Sequence, residues 1–182
     1  MPYEAMIDIE TLSTRNNASI VTIGAIKFNR NDNIEDLDTL KKNGKTFYAR
    51  ITRSSCDNLN LHVDTSTVDW WRKQSSEAQY EAFYNTDRIS IIQALKKLSI
   101  FLQDCDKFWS QGSFDYNILE NVYRQININF PWKFWQIRDS RTLFDFSGVD
   151  IKKINYSGND HNSLDDCYKQ LLGVLISFKH KK

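Results

Sequence analysis

Met6-Ile7-Asp8-Ile9-Glu10-Thr11-Leu12 sets two carboxylates two residues apart inside an apolar, strand-forming stretch. Successive strand side chains point to opposite faces, so Asp8 and Glu10 share one face while Ile7 and Ile9 share the other. Two like charges held side by side against a core are costly to ionise together, and a cation between them removes that cost. The pair therefore asks for a metal. Acids on a solvated strand face give the same short pattern, so partners have to decide. Phe108-Trp109-Ser110-Gln111-Gly112-Ser113-Phe114-Asp115 reads as an apolar strand, a glycine where the backbone turns, and an aspartate in the first turn of a helix. Ser113 is the better cap candidate, which leaves Asp115 free to point elsewhere. His161-Asn162-Ser163-Leu164-Asp165-Asp166 puts a histidine just before the last helix and two acids in its first turn, where acids ordinarily serve as dipole partners. With Leu164, Tyr168, Leu171 and Leu175 as the inward stripe, Asp165 falls nearer its edge than Asp166. Periodicity leaves the choice between them open.

The elements that must position these residues begin with strands. Alternating, β-prone runs predict strands over residues 4–10, 19–28 and 46–51, the first two joined by the turn-like Ser13-Thr14-Arg15-Asn16-Asn17. This reads as an antiparallel meander. Residues 29–45 are polar and charge-rich, a surface connection. The period then changes, predicting helices over about 66–74, 76–84 and 89–103, a short strand over 107–110, and a helix opened by Ser113 that carries Ile118, Leu119, Val122 and Tyr123. A final helix is expected over about 163–178. Strands first, then helix, strand and helix, fit a mixed α/β sheet, antiparallel in its first three strands and parallel afterwards, flanked by helices. In such sheets sites gather at strand ends and the helix starts beside them.

At 182 residues, 41% of them hydrophobic, the chain suffices for one domain, 1–182, with a well-filled core. Lysine and arginine number 24 against 23 acids, so no whole-molecule positive field coats a long polyanion, which has to be gripped locally. Three cysteines, an odd number without CxxC spacing, and the absence of a signal peptide or of a run near the roughly 18 apolar residues of a membrane span predict a reduced, cytoplasmic protein. The closing Lys179-His180-Lys181-Lys182 reads as a solvated helix end.

Taken together, Asp8-Ile9-Glu10, then Phe114-Asp115, then His161 with Asp166 five residues on, resemble the three motifs of the DEDDh superfamily of 3′–5′ exonucleases. The likeness extends to the Phe47-Tyr48 strand, Val68-Asp69-Trp70-Trp71-Arg72-Lys73-Gln74-Ser75, Ile118-Leu119, and Pro131-Trp132-Lys133-Phe134-Trp135. These blocks look like the subgroup containing the phage exonuclease DexA and a related mycobacterial exoribonuclease. The resemblance implies a ribonuclease H-like fold, Asp8, Glu10, Asp115 and Asp166 as metal ligands, and His161 as general base. The five-residue step from His161 favours Asp166 over Asp165. Ser163 and Cys167 stand where the family often has alanine, and both are small enough to keep the helix packed. Ser157-Gly158-Asn159-Asp160 before the histidine reads as a flexible lead-in.

Hard oxygen ligands without a cysteine cluster select two Mg²⁺ or Mn²⁺ ions, which clamp the attacking and departing oxygens of a phosphodiester. On this reading Asp8 bridges both ions, Glu10 and Asp166 serve the nucleophile side, and Asp115 serves the other. The resemblance favours Trp71 and Gln74 beside the substrate, while Thr11 and Leu12 after Glu10, with Phe114 next to Asp115, are placed to flank a terminal base. Trp132, Phe134 and Trp135 read as packing or an oligomer surface, and relatives suggest a homodimer. The expected activity is release of nucleoside 5′-monophosphates from nucleic-acid 3′ ends, with single-stranded DNA favoured and RNA ends the alternative. The rival from another class is a non-catalytic end-binding module, and a third reading is a structural domain whose acids are incidental. All five catalytic positions hold competent residues, which disfavours both.

Overall fold

The computed structural model describes residues 2–31, 34, 36–156, 158 and 161–179. Its centre is β1 (Tyr3–Thr11), which pairs antiparallel with β2 (Ile20–Phe28) and parallel with β5 (Cys105–Ser110). β3 (Thr46–Ile51) extends the antiparallel side, and with β4 (Arg88–Ile89) and β6 (Ile137–Asp139) at the edges the six strands run in the order β4-β3-β2-β1-β5-β6. The alternation in β1 divides its side chains between two cores. Ile7 and Ile9 pack with Leu95 and Leu98 of α5 (Ile91–Phe101) and with Ile118 and Leu119 of α6 (Phe114–Gln125). On the opposite face Met6 packs with Leu171 and Val174 of α8 (Ser163–Lys179). A third cluster, Leu12, Val21, Trp71, Ala78 and Ala82, closes the end of the β1–β2 hairpin.

Small residues bring the start of α8 down onto the sheet. Gly24 pairs with Asp8 across the β1–β2 ladder, and a Cβ at Gly24 would lie 2.6 Å from the backbone nitrogen of Leu164. Only glycine allows that approach. The Thr22 and Ser163 hydroxyls meet at 3.0 Å, and the buried Cys167 thiol donates to the Met6 carbonyl at 3.7 Å. Serine and cysteine thus take alanine-sized places in the seam, as expected. Asn162 caps the helix, its Oδ1 accepting from the backbone N–H groups of Leu164 and Asp165 at 3.0 and 3.2 Å.

Several elements differ from the sequence expectation. Residues 29–45 are not only a surface connection: α1 (Leu37–Lys42) forms there, capped by Asp36, and buries Leu37 and Leu40 three residues apart in the second core. A short α2 (Arg53–Asp57) follows β3, and α3 (Thr65–Trp71) stops three residues before the expected end of its helix. The helix expected over 76–84 is α4 (Ser76–Gln79) continued by a π-helical turn (Tyr80–Tyr84). Arg88–Ile89 pairs with β3 as β4, because Ser90 caps α5 through a reciprocal box with Gln93. β6 (Ile137–Asp139) and α7 (Ser140–Ser147) were not anticipated. Ser157, Asn159, Asp160 and residues 180–182 lie outside the described residues. Among those described, no helix is long and apolar enough to cross a membrane.

Candidate active site

β5 ends one residue past its last pairing with β1, Trp109 with Met6, while β1 runs on to Thr11, and α6 starts just past β5. A cavity of about 740 Å³ opens at that end, lined by Asp8, Glu10, Asp115, His161 and Asp166. They arrive from separate parts of the chain: two from β1, one from the first turn of α6, one from just before α8 and one from its first turn. Asp115 Oδ1 accepts from the Ile9 backbone N–H at 3.0 Å, which fastens α6 to β1 between the two strand acids. Ser113 occupies the cap position of α6, but its backbone is already helical and its side chain makes no capping bond. Asp166 faces the cavity. Its neighbour Asp165 instead accepts the Tyr156 hydroxyl and is not among the residues lining the cavity.

The electrostatics of this cluster are unfavourable without a cation. Asp8 and Glu10 are half-buried on the cavity wall, and enclosure by protein pushes both carboxyls well above the usual carboxylate range. Repulsion adds to it, chiefly from Asp115 on Asp8 and from Asp166 on Glu10. Burial drives Asp115 up to about 7, although the Ile9 N–H and Arg141 pull the other way. Ligand atoms of Glu10, His161 and Asp166 all lie within 4.8 Å of one another. Glu10 and Asp166 approach within hydrogen-bonding reach, which two carboxylates tolerate only with a shared proton or a cation between them. The carboxylate oxygens therefore fit a hard divalent cation, with the His161 imidazole beside them.

A family model of the Rv2179c-like 3′–5′ exoribonuclease domain matches residues 3–175. The chain belongs to that family. It is 27% identical over 207 residues to an exodeoxyribonuclease of Enterobacteria phage T4, covering 98% of this chain and 90% of the relative. A crystal structure of a full-length 3′-exonuclease superposes with a TM-score of 0.57 at 16% identity, over 98% of this chain and 82% of the other. A zinc-bound E. coli ExoI–ssDNA complex gives 0.65 at 10% identity, over 98% of this chain but 41% of the other. The fold is the ribonuclease H-like one, and the chain is a 3′–5′ exonuclease.

The exonuclease's aromatic residues are arranged differently from the sequence expectation. Trp71 is only 2% exposed, and its indole N–H donates to the Thr11 carbonyl at 2.9 Å. Together with Leu12 it lines a separate cavity of about 410 Å³ behind the hairpin. Gln74 is spent on the Trp70 carbonyl at 2.9 Å and lies off the acidic cavity. Trp70, 41% exposed, is the residue beside the site, its ring centroid 4.7 Å from that of His161. Neighbouring residues on a helix point about 100° apart, so one tryptophan of the pair had to face the core. The core took Trp71.

Trp70, Phe114 and Thr11 line a recess of about 340 Å³ against Glu10, so the ring facing Phe114 across the recess is Trp70 and not the Leu12 side chain. Trp132 is buried in the first core, whereas Phe134 and Trp135 are exposed. Sequence reasoning also passed over Arg141, Lys169 and Gln170 on the acidic cavity wall. For Gln170 a signal existed: it stands one helical turn after Asp166, on the same face. Ser13 holds α3 in register, donating to Asp64 at 2.6 Å while its oxygen lies 3.1 Å from His62 Nδ1. That Ser–His–Asp contact is buried at the serine and serves as a latch.

Proposed function

We propose that the chain hydrolyses nucleic acid from the 3′ end, releasing nucleoside 5′-monophosphates, with Asp8, Glu10, Asp115 and Asp166 holding two Mg²⁺ or Mn²⁺ ions and His161 as general base. The observation that carries this reading is the convergence of five chemically matched side chains, from three elements and the turn before α8, on one cavity. Bound there, the cations supply Lewis-acid stabilisation to the attacking and departing oxygens. Asp8 lies deepest among the acids in charge terms, repelled by the other three, and so gains most from a bridging role. A ring nitrogen of His161 takes the proton of the attacking water, its ring steadied edge-on by Trp70. Arg141, whose guanidinium has no ion pair or hydrogen bond among the described residues, is placed on the cavity wall to meet a backbone phosphate. Phe114 and Trp70 offer two aromatic faces for the terminal base, and Thr11 lies between them.

We take single-stranded DNA as the favoured substrate, in line with the phage relative, and RNA ends as the alternative, in line with the family description. The three cysteines are free, which suits a reducing, cytoplasmic setting. A homodimer also belongs to this proposal, with exposed Phe134 and Trp135 beside edge strand β6 as the candidate surface. The test is digestion of matched 5′-labelled DNA and RNA oligomers with Mg²⁺ and with EDTA. Stepwise shortening that EDTA abolishes is expected. Binding without shortening would instead support the end-binding module.

A further inference from the structure

We infer that Gln170 is a positioning residue that sets the affinity of the site for divalent cations through Asp8. It rests on the reading of the acid cluster as a cation site. Gln170 lies on α8, is 4% exposed and lines the cavity. Its Nε2 donates to Asp8 Oδ1 at 2.8 Å, the one side-chain hydrogen bond that Asp8 accepts among the described residues. An ionised carboxylate only accepts, so the amide must present its nitrogen to Asp8. The other neighbours of Asp8 on the cavity wall include the carboxylates of Glu10, Asp115 and Asp166. Gln170 is thus the side chain that fixes the orientation of this carboxylate on the cavity wall.

A neutral amide suits that task better than a cation would. Lysine at this position would neutralise the cluster and compete with an incoming metal, whereas glutamine orients the oxygen and leaves the full negative charge available. The other end of the amide supports the same view. Gln170 Oε1 is buried and has no donor among the described residues. An unpaired buried acceptor is costly, so the side chain is kept in place at a penalty that a water or hydroxyl entering the cavity can remove.

The test is a Mn²⁺ titration followed by electron paramagnetic resonance, on protein without nucleic acid, for wild type, Gln170→Met and Asp8→Asn. Methionine matches glutamine in length and fills the same space without donating. The expected result is a native circular-dichroism melt with Mn²⁺ affinity about 10- to 100-fold weaker. Should methionine disturb the melt, Gln170→Asn keeps the polarity on a stem too short to reach Asp8, and the same weakening is expected. Affinity within twofold of wild type in a folded Gln170 variant, with Asp8→Asn weakened, would overturn the role of Gln170 alone. Wild-type affinity in Asp8→Asn would overturn the cation-site reading and this inference with it.

Discussion

Glu4 and Asp8 stand on the same face of the same strand, four residues apart, and meet opposite treatment. Glu4 is 5% exposed and fully answered: the Trp109 indole donates to it at 2.7 Å, Arg30 at 2.5 and 3.3 Å, and Lys107 lies 3.7 Å away. Asp8 is answered by one neutral amide and is surrounded by Glu10, Asp115 and Asp166. Burial of charge alone therefore does not mark a functional site. What separates the two ends of β1 is whether the protein supplies the counter-charge or leaves it to be brought in.

The sharpest way to break this comparison is to neutralise each acid in turn. Asp8→Asn is expected to lower turnover by about 10³- to 10⁵-fold, the several kcal/mol that a misplaced metal clamp represents. The same change is expected to raise the melting temperature of the metal-free protein at pH 8 by removing repulsion. Glu4→Gln is expected to do the reverse: activity within about threefold of wild type, and stability lower by about 1–3 kcal/mol from the arginine and lysine left unpaired. Denaturant melts and single-turnover digestion measure both. If Asp8→Asn stayed active while Glu4→Gln did not, the assignment of the two ends would be inverted.

His161→Ala is expected to retain Mn²⁺ binding in the nucleic-acid-free titration yet lose about 10²- to 10⁴-fold in turnover. Near-wild-type rates would remove the histidine from the chemistry. The acids also predict how stability depends on pH. Asp115 is raised from the ordinary carboxylate range to about 7, and Asp8 and Glu10 are raised as well. Raised acids favour folding when protonated, so the metal-free protein is expected to be most stable near pH 4 and to lose stability as the pH rises toward 7. Mg²⁺ should then raise the melting temperature more at pH 8 than at pH 5. Equal shifts at the two values would contradict the unfavourable charge cluster.

The smallest effect is expected in the aromatic recess. Trp70→Ala should raise KM for short oligomers by about 10-fold, the scale of one lost stacking contact. Trp71→Ala should instead destabilise the fold by about 3–5 kcal/mol, as the loss of a buried ring does. The reverse pattern would return the substrate-side role to Trp71.

The legible parts of the molecule are those where one strong period or one chemical pattern acts alone. β1, β2 and β3 lie within about two residues of expectation because alternation over a long run leaves little choice of register. The five catalytic candidates could be named because their residue types and order are unusual together. α1 escaped notice since only Leu37 and Leu40 interrupt its charged surroundings, and β6 is three residues long, too short to show a period. The choice of Trp70 over Trp71 and the partner of Gln170 were illegible for another reason. Which tryptophan of an adjacent pair turns inward, and whether a glutamine on a helix meets an acid 162 positions away in sequence, depends on how α3 and α8 seat on the sheet. The seating of α8 rests on the close approach that Gly24 permits.

The most direct test of the central claim is anomalous diffraction from crystals soaked in Mn²⁺ with a short 3′-ended oligomer. Two anomalous peaks are expected in the cavity, one shared by Asp8, Glu10 and Asp166 and a second reaching Asp8 and Asp115. Peaks elsewhere, with none at Asp8 in protein that still digests the oligomer, would contradict it.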